Sequence, residues 1–247
     1  MTRREAVLLA DAALAALRRR GTGAGRARAA WYYPTRLEVF GVPAAAAREV
    51  QRALRRDLRG APAAAVLAVA RRLAASRSTA GLSAAFELLE TRDDALDLLR
   101  PADLERFARG LDNWASVDGF GVSVAGRAWR RGRAPDALFR RWTRSPDRWR
   151  RRAALVATVP LNLRSRGGTG DAPRTLDLCL RLAADRDPMV AKALSWALRA
   201  LSGPEPAAVR SFLARHGDAL APLVLREVRC KLATGRKSPS PVRAAVR

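Results

Sequence analysis

Residues 112–121 read DNWASVDGFG, and within them Trp114 and Asp118 stand four positions apart. On a helix that spacing puts an indole and a carboxylate on one face, one turn from each other. A carboxylate held beside aromatic rings can stabilise positive charge that develops on a reacting carbon, and it can orient a water for attack. Here it belongs to a chain with 47 Lys and Arg against 23 Asp and Glu. Two readings stay open on these residues alone. Asp118 is an ordinary carboxylate, paired with an arginine or stabilised by a helix dipole, or its charge serves a reaction.

Three further clusters combine aromatic and basic residues. In SPDRWRRRAALVATV, Ser145 or Asp147 is placed to cap a helix, and Trp149 and Arg152, three apart, share a face. Arg148, Arg150 and Arg151 are spread around that helix as a solvated, phosphate-contacting face. In AKALSWALRAL, Lys192 and Trp196 are four apart and Arg199 follows three later. In WYYPTRLEVFGVP, Trp31, Tyr32 and Tyr33 precede Gly41-Val42-Pro43. Trp129 and Trp142 lie on apolar helices and are expected in the core. Asp103 and Glu105 lie just upstream of Trp114, with nothing in the sequence to mark a partner for either.

The whole chain supports an anionic partner. Its 247 residues carry a formal net charge of +24, and only three of the cations, Lys192, Lys231 and Lys237, are Lys. A compact protein with that charge repels itself unless an anion binds it, and nucleic acid is the first candidate. No basic amphipathic helix stands apart from the fold, which argues against a membrane surface. No run of apolar residues is long enough to span a bilayer. The expected setting is soluble and cytoplasmic, with the nucleoid. Cys179, Cys230 and His216 have no metal-ligand spacing, so no metal and no cofactor is expected, and both thiols are expected to be buried.

The elements that must position these residues are helices. Hydrophobic residues make up 49% of the chain, mostly Ala and Leu, and these with Arg favour helix. Punctuation is dense: Pro43, Pro62, Pro101, Pro135, Pro173, Pro188, Pro206 and Pro222 mark helix starts, because a proline in the first turn loses no hydrogen bond. An apolar stripe of Val7, Ala10, Leu14 and Leu17 predicts a first helix over 3–20. Residues 21–30 read as a loop or a frayed turn, and GTGAG and GGTG lack the strand and GK[ST] of a phosphate-binding loop. WASVDGFGVSVAGRAWRR reads as one helix. Helix pairs recurring roughly every 35–45 residues fit an all-α, curved α-solenoid of HEAT-like repeats with a basic concave face. The solenoid is expected over 1–233 as one domain, with 234–247 as a basic disordered tail.

Taken together, DNWASVD, WRRRAALVATV, MVAKALSWALRALS and LVLREVRCKLATGRK, in this order and at these intervals, resemble the AlkD-type DNA alkylation-repair glycosylases. These are monomeric HEAT-like repeat proteins, and the resemblance runs from about residue 31 to 237. It implies that Trp114 lies against the deoxyribose of the damaged nucleotide, that Asp118 is the essential carboxylate, and that Trp196 is a second aromatic wall. Arg152 matches the arginine that clamps a phosphate, with Arg148, Arg151 and Lys192 as further DNA contacts. Tyr32 falls near the family's tyrosine at the N-terminal edge of the cleft, and Tyr33 could serve instead. The stretch 75–92 departs from the family, without a tryptophan where relatives often have one.

The activity so implied is monofunctional hydrolysis, in base excision repair, of N3- or N7-alkylated purines from duplex DNA without base flipping. An alkylated purine is already cationic and leaves without a general acid, which fits a chain with one His. No lysine is placed for a strand-cleaving lyase step. Two other readings compete. A noncatalytic relative binding branched or distorted DNA needs the basic face and not Asp118; a helical scaffold for proteins predicts binding insensitive to salt.

Overall fold

The computed structural model describes residues 1–238. Helices α1 (Arg3–Arg19), α2 (Gly23–Tyr32), α3 (Ala44–Asp57), α4 (Ala63–Ala75) and α5 (Thr79–Glu90) follow one another. They lead into the short α6 (Asp93–Leu96), α7 (Pro101–Ala108) and α8 (Trp114–Phe120). A π-helical turn, Gly121–Ala125, joins α8 to α9 (Gly126–Arg130), and α10 (Asp136–Thr143) comes next. The chain continues through α11 (Arg148–Val156), α12 (Val159–Asn162), α13 (Ala172–Arg181), α14 (Pro188–Leu201), α15 (Pro206–His216) and α16 (Pro222–Thr234). Among the described residues the sole β pairing is an isolated bridge between Glu38 and Ser78. The expected all-α class is what the structure has.

Two compact units divide the chain, Met1–Leu138 and Phe139–Arg247. In the first, α1 packs on α3 and α4, and α5 packs on α4 and α8. The connection from α4 to α5 spans only 76–78, so the two helices run as close neighbours. Leu17, Val66, Leu73, Leu89 and Phe107 fill this core at 2% exposure or less. In the second unit α14 is central, packed by α11, α13 and α16. Val190, Leu194, Ala197, Leu198 and Leu201 give it an apolar stripe at helical spacing. Packing of each helix on its near neighbours in sequence is the habit of helical repeats. Trp129 and Trp142 sit in the cores, at 1% and 2% exposure, as expected.

The structure corrects three local expectations. Residues 23–32, the first eight of them in the segment expected as a loop or frayed turn, form α2, capped by Thr22, whose hydroxyl accepts from the Gly25 N–H. The glycines that argued against a helix are there because backbones meet. A Cβ on Gly25 would lie 2.1 Å from the Gly41 carbonyl oxygen, and Gly41 itself has φ +72°. The helical run from Trp114 to Arg130 is not one regular α-helix, because its five central residues, all buried, take the wider π turn. Cys179 is buried, and burial pushes its thiol far above the usual range, but Cys230 is only half-buried, beside Thr234. Of the expected tail, Thr234 closes α16, Gly235 to Ser238 are described, and 239–247 lie outside the described residues.

Candidate nucleic-acid interface

The N-terminus of α8 is tied to the segment after α2. Asn113 caps α8 by accepting from the Ser116 N–H at 2.9 Å, and its amide donates to the Thr35 hydroxyl at 3.2 Å. Asp112, the residue before it, accepts instead from the Thr35 hydroxyl and the Arg36 N–H. These bonds clamp residues 35–36 to the start of α8. Two aromatic sequences 82 positions apart meet as a result, and the Trp114 indole N–H donates to the Tyr32 carbonyl at 3.4 Å.

Four rings form one cluster there. Tyr32 meets Trp114 edge-on at 5.0 Å between centroids, and Tyr33 meets the same indole at 6.4 Å and 89°. Trp31 stacks on Tyr32 at 6.2 Å and 19°. Edge-to-face pairs of this kind are favoured by the ring quadrupoles. Trp114 is half-buried, and Asp118, one turn further along α8, is half-buried as well. Sequence spacing therefore placed the indole and the carboxylate on one short helix, and the structure adds both tyrosines to that indole.

Tyr33 also lines a cleft of about 330 Å³, with Ser83, Glu87, Glu90, Ser116 and Ser123. Ser123 donates to the Glu90 carboxylate at 2.8 Å. Burial holds the Glu87 carboxyl above its ordinary value of 4.5, against the partial relief of Arg55 and a hydrogen bond from Gln51. Burial likewise raises the Tyr33 phenol above 10.0, and Thr79 partly offsets it. Sequence reasoning passed over Glu87 and Glu90, which lie in the stretch without family signals; the surplus of positive charge hid them.

The second unit carries the expected basic residues on α11 and α14. Asp147 caps α11 by accepting from the Trp149 N–H at 2.9 Å. Arg148 is exposed, with its guanidinium over the Trp149 ring at 5.1 Å and 3.5 Å from the Asp187 carboxylate. Arg151 points inward: Nε donates to Asp185 at 2.7 Å, and Nη1 to the carbonyls of Ser145 and Pro146. Arg152 is only 6% exposed and donates to the Met189 carbonyl at 2.5 Å. Arg151 and Arg152 thus pin the segment that begins α14, as well as belonging to the run expected to meet phosphate.

On α14 itself Lys192 is exposed and Trp196, one turn later, is half-buried. Trp196 lines a cleft of about 530 Å³ with Arg164, Arg199, Lys231 and Lys237. Arg199 lies 3.1 Å from the Ser195 hydroxyl and 3.5 Å from Glu227, and burial lowers its pKa. Lys237 reaches Glu227 at 3.4 Å. A basic recess with an indole in its wall suits a sugar-phosphate chain.

Asp103, which the sequence left without a partner, is 3% exposed and takes a two-pronged contact from Arg71 at 2.9 and 2.8 Å. Among the described residues no group of three or more His, Cys, Asp or Glu is arranged to hold a metal ion. None of the described helices is long and apolar enough to cross a membrane. Compared with known families, residues 13–232, most of the chain, match the family described as DNA alkylation repair enzyme. No curated protein matches the chain.

Proposed function

We propose a specific reaction for this chain, which belongs to the DNA alkylation repair enzyme family. Membership puts it among enzymes of alkylated-DNA repair, with DNA as the partner. The reaction we assign is hydrolysis of the N-glycosidic bond of N3- or N7-alkylated purines in duplex DNA, by a monomer acting where the genome is, in the cytoplasm with the nucleoid. The observation that carries this reading is the pairing on α8 of Asp118 with Trp114, in a four-ring aromatic cluster, within a +24 chain.

The alkylated base is cationic before reaction. It departs as a neutral purine, taking the electron pair of the bond to C1′, and positive charge moves to the sugar. The Asp118 carboxylate opposes that charge at close range and orients the water that adds to C1′ and releases a proton. Electrostatic groups aimed at developing charge contribute about 3–4 kcal/mol each. The Trp114 indole offers a π face to the same charge and keeps bulk water away. On the second unit we assign phosphate contacts to Lys192 and Arg148, which are exposed, with Trp196 as an aromatic wall of its own basic cleft, while Arg151 and Arg152 position the segment that begins α14. Tyr32 supports Trp114 through its ring and carbonyl.

Chromatography of the bases freed from methylated duplex DNA tests the proposal. Wild-type protein releases 7-methylguanine or 3-methyladenine, and Asp118→Asn does so about 10²–10³ times more slowly. Equal rates for the two proteins remove Asp118 from the reaction. Release by neither, with tight binding to distorted duplexes, would leave a noncatalytic DNA-binding member of the family.

A further inference from the structure

The reaction proposed above makes no use of Trp31. Of the six tryptophans it is the most open, 83% exposed, where Trp129 and Trp142 are at 1% and 2%. A lone exposed apolar side chain would need no explanation. Trp31 is not alone: it stacks on Tyr32, which is 56% exposed and in turn abuts Trp114. An unbroken row of rings therefore runs from the half-buried indole beside Asp118 out to a solvent-facing indole. Tyr32 lies nearly parallel to Trp31 at 6.2 Å, and at 83% exposure most of the indole is open.

The surroundings say what would cover it. Arg28, one turn earlier on α2, and Arg36, just beyond the tyrosines, are both exposed, and neither forms an ion pair among the described residues. The cations beside the ring fit a ligand that is flat, apolar on its faces and anionic along its edge: a nucleotide. A base within an intact duplex shows only its edges in the grooves. A base that has left the stack shows a face, and every base has one, so stacking on an indole is sequence-tolerant. The platform is firmly held, because α2 docks through the Gly25–Gly41 contact and Trp114 bonds to the Tyr32 carbonyl.

We propose that Trp31 is a stacking platform for a nucleobase that has left the duplex stack, with Arg28 beside it to meet the attached phosphate. The proposal rests on the reading that the aromatic cluster faces DNA, and it is independent of glycosidic hydrolysis. Its role is to favour DNA whose stacking is broken near the site.

The test compares a duplex carrying one unpaired, bulged 2-aminopurine with the fully paired duplex of the same sequence, by fluorescence anisotropy with the full-length protein. Wild type is expected to prefer the bulged duplex by about tenfold, the scale of one base stacked on an aromatic ring. Trp31→Ala loses that preference and keeps its affinity for paired DNA, whereas Trp31→Phe retains most of the preference. Emission of the bulged 2-aminopurine falls on binding wild type and does not fall with Trp31→Ala. Equal loss on both duplexes, or no loss on either, overturns the proposal. So does wild type sedimenting as a dimer that Trp31→Ala dissolves, since the ring then covers a second copy. Base release from methylated DNA is followed on the same preparations. A bulge preference that depends on Trp31 with no release by any preparation sinks the glycosylase and spares the platform; normal release with no such dependence does the reverse.

Discussion

Asp103, on α7, and its partner Arg71, on α4, stand 32 positions apart in the chain. Its role is structural. Buried, it accepts from Arg71 twice, from Arg106 at 3.2 Å and from the Arg100 N–H at 3.1 Å. Breaking a buried pair usually costs about 3–5 kcal/mol, but Arg71 is 38% exposed and water takes up its stranded charge, so Asp103→Ala should lose about 2 kcal/mol. Urea unfolding checks this, with Asp103→Asn losing less, since it keeps acceptor and shape. Trp114 and Asp118 were legible in the sequence because their relation is local, four positions on one helix, whereas the partner of Asp103 and the positions of Arg151 and Arg152 were hidden. A run of arginines reads as a phosphate-seeking face, and only the arrival of Asp185, in the segment before α14, and of Met189, in its first turn, turns two of them inward.

Helices were mostly legible at their beginnings. Pro101, Pro188, Pro206 and Pro222 each stand at the first position of a helix, as a proline without an N–H to satisfy should. The second helix was missed because glycine weakens helical propensity, and Gly21, Gly23 and Gly25 crowd its start. Their use is tertiary: the Gly41 turn comes within contact of Gly25, which no local pattern reveals. Gly25→Ala should therefore push α2 away and carry Trp31 and Tyr32 with it. The expected outcome is a lower melting temperature together with weaker binding to bulged duplex, measured against Gly23→Ala, where a Cβ finds its nearest neighbour only at 4.0 Å. The π turn after α8 was likewise illegible, since GVSVA reads as more helix. All five residues are buried, and none is a proline or other breaker that would mark the change of pitch in the sequence.

For the whole molecule, charge sets the behaviour. Many carboxylates already serve two arginines, as Asp93 does for Arg127 and Arg131 and Asp177 for Arg140 and Arg181. Even so, 47 cations against 23 anions leaves a surplus that a polyanion must meet. Affinity for plain duplex should fall with salt by about 0.9 in log K per log unit for each phosphate neutralised, so five contacts give a slope of about −4.5. A flat dependence across a salt titration would argue against any DNA interface. One consequence of the aromatic cluster reaches the whole chain. Tyr32 and Tyr33 are its only tyrosines, and both abut the Trp114 indole. Every phenol signal in the ultraviolet spectrum therefore originates in one neighbourhood, and energy absorbed there passes readily to tryptophan. An alkaline titration of the untouched protein, in which Tyr33 ionises above 10.0, becomes a label-free view of that neighbourhood alone, and a bound strand would announce itself as a change in that curve.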